Sequence, residues 1–135
     1  MPYMKTKGKR GNATMSNLMS DEKILTIANE KIKASGKKMT SSQGIFFLRL
    51  VKYALEHDIS TKNGDGFVVL LSHDEMCYEF HQGKSFVNIA LKTFVGAGLV
   101  ERRRLTDDEK VAIFGDSKGL GNCKVTKILK ENIIE

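Results

Sequence analysis

The residues of this chain best equipped for chemistry lie between positions 84 and 104. Lys84, Ser85, Asn88 and Lys92 fall close together, and Arg102, Arg103 and Arg104 follow in a row. Their ammonium, hydroxyl, carboxamide and guanidinium groups are donors suited to phosphate oxygens and base edges. A carboxamide can bond adenine through both its polar atoms, and a guanidinium meets phosphate as a planar fork. Other groupings carry less. His73, Cys77 and His81 recur at i, i+4 and i+8, with Cys123 far behind, and His and Cys are the ligands that tetrahedral zinc takes. On one helix the outer two would stand about 12 Å apart along the axis, too far for one ion to reach both. Surface histidines beside a half-buried cysteine are the better account. Gly115, Gly119 and Gly121 lack the pattern and the strand-to-helix setting of a phosphate loop,. Asp107, Asp108 and Glu109 read as a solvated loop. No catalytic, metal or cofactor arrangement emerges, so the expectation is a binding protein and not an enzyme.

The elements around the donors carry their own signals. Ser72 and Glu75 have capping-box spacing, which satisfies free amides at a helix start, and Met76 and Phe80 then share a face four residues apart,. Gly83 supplies a turn and Ser85 a cap for the next helix. In that helix Val87, Ala90, Leu91 and Phe94 repeat at helical spacing and should pack on Met76 and Phe80. Lys84, Ser85, Phe86, Asn88, Ile89 and Lys92 are left on the opposite face. Gly98 ends the helix as a C-terminal glycine does, and Leu99 returns the chain to the core ahead of the three arginines.

This order of scaffold helix, tight turn, second helix and basic strand resembles a winged helix-turn-helix. That resemblance implies a recognition helix for a DNA groove and a hairpin wing whose basic arm touches phosphate. A small α+β domain with a solvated basic strand is the plainer alternative.

Composition agrees with a folded protein. With 135 residues, 41% of them hydrophobic, the chain can bury a core,. Two cysteines make no disulfide framework, and neither a signal peptide nor an apolar run of membrane length is present,. A reducing, cytoplasmic setting and no membrane partner are the expectation. The net charge is +6, of which Lys5, Lys7, Lys9 and Arg10 supply four. Residues 72–81 hold Asp74, Glu75 and Glu79 without Lys or Arg, whereas 84–104 hold five cations against Glu101. Segregation of that kind sets up a local positive field.

The remaining segments complete an α+β, mainly helical chain. Residues 1–19 read as a disordered basic arm, able to add phosphate contacts or simply frayed; residues 20–135 read as the winged-helix domain. Ser20 caps a helix with Ile24, Leu25, Ile27, Ala28 and Ile32 on its apolar side, ending near Gly36,. Ser41 or Ser42 caps a second, apolar on most of its circumference through Ile45, Phe46, Leu48, Leu50, Val51, Ala54 and Leu55, which should be central. A loop rich in turn formers occupies 57–66. Phe67–Leu70, Val100–Leu105 and Lys124–Leu129 fit strands, the last two forming a long wing across the acidic and apolar stretch at 106–114 and a glycine-rich turn,.

Ile59-Ser60-Thr61-Lys62-Asn63, a glycine turn, Phe67 to Leu70, the helix-turn-helix, Gly98-Leu99-Val100 and Gly119-Leu120-Gly121 together resemble the N-terminal DNA-binding domain of the plasmid replication initiator A family, over roughly residues 41–129. The chain departs from that family in lacking its opening Pro-Lys segment and in the insertion at 106–114. The resemblance implies binding to repeated sequences at a replication origin and recruitment of replication machinery. A transcriptional regulator of plasmid or phage type, acting as a homodimer on a palindrome, fits the same residues. In a DNA-binding reading Lys84, Ser85, Asn88 and Lys92 meet bases or phosphates of double-stranded DNA in the major groove. Arg102, Arg103 and Arg104, with Lys118 or Lys124, then meet the backbone, and Phe86 and Ile89 meet thymine methyls. In a protein-interaction reading Phe86 and Ile89 are instead anchors in a partner's groove.

Overall fold

A computed structural model describes residues 18–57, 66–104, 106–114 and 124–135. They form a mainly helical α+β fold with one small antiparallel sheet, consistent with a winged-helix-like arrangement. Helix α1 spans Asp21–Ala34, capped by Ser20, whose hydroxyl accepts from Lys23 N at 3.2 Å. Acids Asp21 and Glu22 sit in its first turn and Lys31 and Lys33 in its last, each opposite the favourable end of the helix dipole,. It buries Ile24, Ala28 and Ile32.

Helix α2 spans Ser41–His57. Its cap is Thr40, one residue ahead of the serines that the sequence favours. Thr40 Oγ1 accepts from Gln43 N, and Thr40 N donates to Gln43 Oε1, both at 3.1 Å, a box that the glutamine completes,. The helix is central as anticipated, with Phe46, Phe47, Leu50 and Ala54 fully buried.

Strand β1, Gly66–Val69, leads into α3, His73–Phe80, which opens on the anticipated box: Ser72 Oγ accepts from Glu75 N at 3.1 Å and Ser72 N donates to Glu75 Oε1 at 2.9 Å. Arg49 Nη1 donates to Phe80 O at 3.3 Å, tying the end of α3 to α2. The turn that follows differs from the expected one in two ways. His81, not Gly83, takes the left-handed conformation at φ 55°. Gly83, not Ser85, is the N-cap of α4, Lys84–Gly96, with no side-chain cap bond. Gly98 ends that helix at φ +79°, a conformation natural to glycine,.

Phe94 is fully buried, but its aromatic neighbours are on α2 and not Phe80: it stacks on Phe46 at 6.1 Å and meets Phe47 edge-on at 5.2 Å. Phe80 instead meets Phe46, at 5.6 Å. Phe46 is thus the hub through which α3 and α4 share one core with Met76, Val87 and Leu91.

Strands β2, Val100–Arg104, and β3, Lys124–Leu129, complete a sheet of order β1-β3-β2 with both pairings antiparallel. Gly66 allows the close approach at the start of β1, because a Cβ there would lie 2.6 Å from Ile128 O. The register aligns Phe67, Val100 and Ile128 on the face that joins the helical core, and Val68, Val125 and Arg103 on the other,.

Between β2 and β3 the stretch expected to be a solvated loop forms helix α5, Asp107–Phe114. Lys110 N donates to Thr106 O at 3.0 Å, so Thr106 opens a helix whose sequence begins Asp107-Asp108-Glu109, a start signal favoured by the dipole,. The basic arm also ends sooner than position 19. Leu18 pairs with Ile134, and Met19, buried, donates from its backbone to Ile133 O at 2.9 Å. Residues 1–17, and with them the arm's four cations, lie outside the described residues, as does the run 59–63 that contributes to the family resemblance. No helix among the described residues is long and apolar enough to cross a membrane.

Candidate nucleic-acid interface

Burial of Val87, Ala90, Leu91 and Phe94 turns the opposite face of α4 outward. Lys84, Ser85, Asn88 and Lys92 are exposed there, and Ile89 is 56% exposed among them. Lys84 Nζ stands 3.6 Å from Asp74 Oδ1, an exposed pair that ties the starts of α4 and α3 together. Phe86 departs from its expected place. It is half-buried and meets Phe46 edge-on at 5.5 Å, so its ring belongs to the core side. The signal was present, since Phe86, Ala90 and Phe94 recur at four-residue spacing.

The three arginines divide between the two faces of an edge strand. Arg102 pairs across the ladder with Thr126, its Nη1 donating to Thr126 Oγ1 at 3.0 Å, on the face that carries Val100 and Ile128 toward the helices. Arg104, exposed, follows on that face by alternation,. Arg103 stands on the other, its Nε 3.7 Å from Glu101 Oε1 and its Nη1 donating to Arg104 O at 3.2 Å. Lys124 pairs with Arg104 through the backbone, and Lys118 lies outside the described residues.

A cleft of about 410 Å³ separates α4 from β2 and the start of α3. Asn88, Lys92 and Arg102 line it with Leu91 and Val95, and so does His73, which the sequence alone leaves as a surface residue. His73 Nδ1 lies 3.9 Å from Asp74 Oδ1 and 4.0 Å from Cys77 Sγ, while its Nε2 is buried without a hydrogen-bond partner among the described residues. The i, i+8 relation hides this: His73 opens α3, whereas His81 has left the helix in the left-handed region. Among the described residues no three His, Cys, Asp or Glu side chains come together to hold a metal, and Cys123 is not one of those residues.

The acidic side of α3 faces elsewhere. Glu75 and Glu79 flank Tyr78, which is 82% exposed, and line a shallow depression with Leu71 and Asp74. Burial, reinforced by the charges of Glu79 and Glu75, holds the Tyr53 phenol above its ordinary value,. No known protein family, curated protein or solved structure matches this chain.

Proposed function

We propose that the protein is a winged-helix, sequence-specific binder of double-stranded DNA, with α4 as recognition helix and the β2–β3 hairpin as wing. The observation that carries this reading is the proximity of two donor sets: Asn88 and Lys92 on the outer face of α4 share one cleft with Arg102 of the neighbouring edge strand. A helix of this diameter fits the major groove, where Asn88 can read adenine while Lys84, Ser85 and Lys92 meet bases or phosphates. Arg102 and Arg104 then reach the flanking backbone. Exposed Ile89 is available to a thymine methyl. Phe86 supports the fold beneath this surface, which weakens the reading of Phe86 and Ile89 as paired anchors for a protein partner.

In the cell such a domain acts in replication initiation or control of a plasmid or other mobile element, as the resemblance to the plasmid replication initiator A family suggests. Transcriptional regulation is the alternative. Selection of bound fragments from a random duplex pool tests both. Enrichment of a direct repeat supports initiation, and a palindrome supports a homodimeric regulator. Failure of any sequence to enrich contradicts specific recognition.

A further inference from the structure

We infer that the cleft between α4, β2 and the start of α3 seats one sugar–phosphate unit of the DNA backbone, with His73 donating to the phosphate beside Lys92 and Arg102. This rests on the DNA-binding reading above and adds to it a residue from outside the recognition helix and wing. A buried polar atom without a partner is unfavourable in the free protein and becomes satisfied when a ligand supplies one. His73 Nε2 is such an atom. Its other nitrogen faces Asp74 Oδ1 at 3.9 Å, and the ring lines the cleft together with Lys92 and Arg102. Lys84, 3.6 Å from Asp74 Oδ1, offsets the negative charge of that carboxylate.

The lining matches the two halves of a backbone unit. Lys92 from α4 and Arg102 from β2 bring positive charge, as a phosphodiester requires,. Leu91 and Val95 bring an apolar wall, against which a deoxyribose can lie. At about 410 Å³ the cleft is larger than a bare phosphate needs and falls within the range of sites that take a nucleotide-sized group,. Arg102 is held in place by Thr126, which orients a cation at the rim before the ligand arrives.

A methylphosphonate scan tests the assignment. A tightly bound duplex is prepared with one neutral methylphosphonate at a time, and its affinity is measured for wild type, His73→Phe and Lys92→Gln. The expected result is one phosphate whose neutralisation weakens wild type about tenfold, as removal of a charge-assisted hydrogen bond does. The same neutralisation should weaken each variant less than wild type, because each lacks its own bond to that phosphate while the remaining contacts persist. His73→Ala, which adds no bulk, repeats the measurement should His73→Phe fail to fold. Duplex binding in which no phosphate shows this coupling overturns the cleft assignment and leaves the DNA-binding reading standing. Absence of duplex binding overturns both. Inorganic phosphate and a mononucleotide are titrated separately: saturable binding of either at micromolar concentration, without coupling on the duplex, would assign the cleft to a free small anion instead.

Discussion

Asn132→Ala should loosen the joint between α4 and β2. Asn132 is fully buried in the 3₁₀ turn Lys130–Asn132 that follows β3. Its Nδ2 donates to Gly98 O at 3.1 Å and to Leu99 O at 3.2 Å, both at the turn from α4 to β2, while its Oδ1 accepts from Lys31 Nζ of α1. Truncation affects these partners unequally. Leu99 O keeps a donor in Leu129 N at 3.2 Å, and Lys31 Nζ keeps Glu131 Oε2 at 3.2 Å. Gly98 O loses the donor that Asn132 Nδ2 supplies. The two bonds that Nδ2 donates contribute about 0.5–1.5 kcal/mol each, and the small void adds about 1 kcal/mol. The expected destabilisation is therefore about 2–4 kcal/mol, a large share of the roughly 5–15 kcal/mol that holds a domain of ordinary size. Urea titration followed by far-ultraviolet circular dichroism measures it, with exposed Glu131→Gln as a control that should stay within about 0.5 kcal/mol of wild type. A midpoint for Asn132→Ala as close to wild type as the control's would refute the clamp.

Three further outcomes follow from the geometry. Asn88→Ala should weaken binding to the selected site by about 1–3 kcal/mol and relax sequence choice at one position, and equal losses on specific and random duplex would contradict base reading. Neutralising Arg102 and Arg104 together should flatten the logarithmic salt dependence by about 0.9 for each phosphate that no longer meets a cation, whereas Arg103→Ala, on the opposite face, should leave the slope unchanged; the reverse order would mean that the wing presents its other face. His81→Gly should stabilise the fold by about 1 kcal/mol, since glycine adopts the left-handed turn at φ 55° without the side-chain penalty,; a lower melting temperature would show that the imidazole makes a contribution larger than its strain.

Features set by neighbours in sequence were readable from the chain alone. The Ser72–Glu75 box, the Ser20 cap and the Gly98 stop each depend on a few adjacent residues, and each stands where the pattern places it. Competition between equivalent local signals blurred others. Thr40, Ser41 and Ser42 offer three hydroxyls in a row, and only the partner Gln43 decides among them. Glycine's preference for positive φ pointed to Gly83, whereas the turn places His81 there. In α5 the acidic residues beside Thr106 are a start signal, yet they resemble a solvated loop when judged by charge alone.

The site was legible on α4 and less so around it. Helical spacing separates Asn88 and Lys92 from Val87 and Leu91 without outside information, and strand alternation separates Arg103 from Arg102 and Arg104. Which of those arginine sets turns toward the helices depends on the Arg102–Thr126 register, a pairing between residues far apart in the chain. His73 and Asn132 were silent for the same reason. One acquires its role from a cleft shared with α4 and β2, the other from carbonyls at Gly98 and Leu99, and neither neighbour is close in sequence.

The central claim, that α4 and the wing form one DNA-binding surface, is tested most directly by titrating a labelled random duplex across a range of salt concentrations. Lys84, Lys92, Arg102 and Arg104 are the described cations placed to meet phosphate. Engagement of all four predicts a logarithmic slope of roughly −3 to −4. Binding that is absent at low salt, or that is independent of salt, would contradict the account.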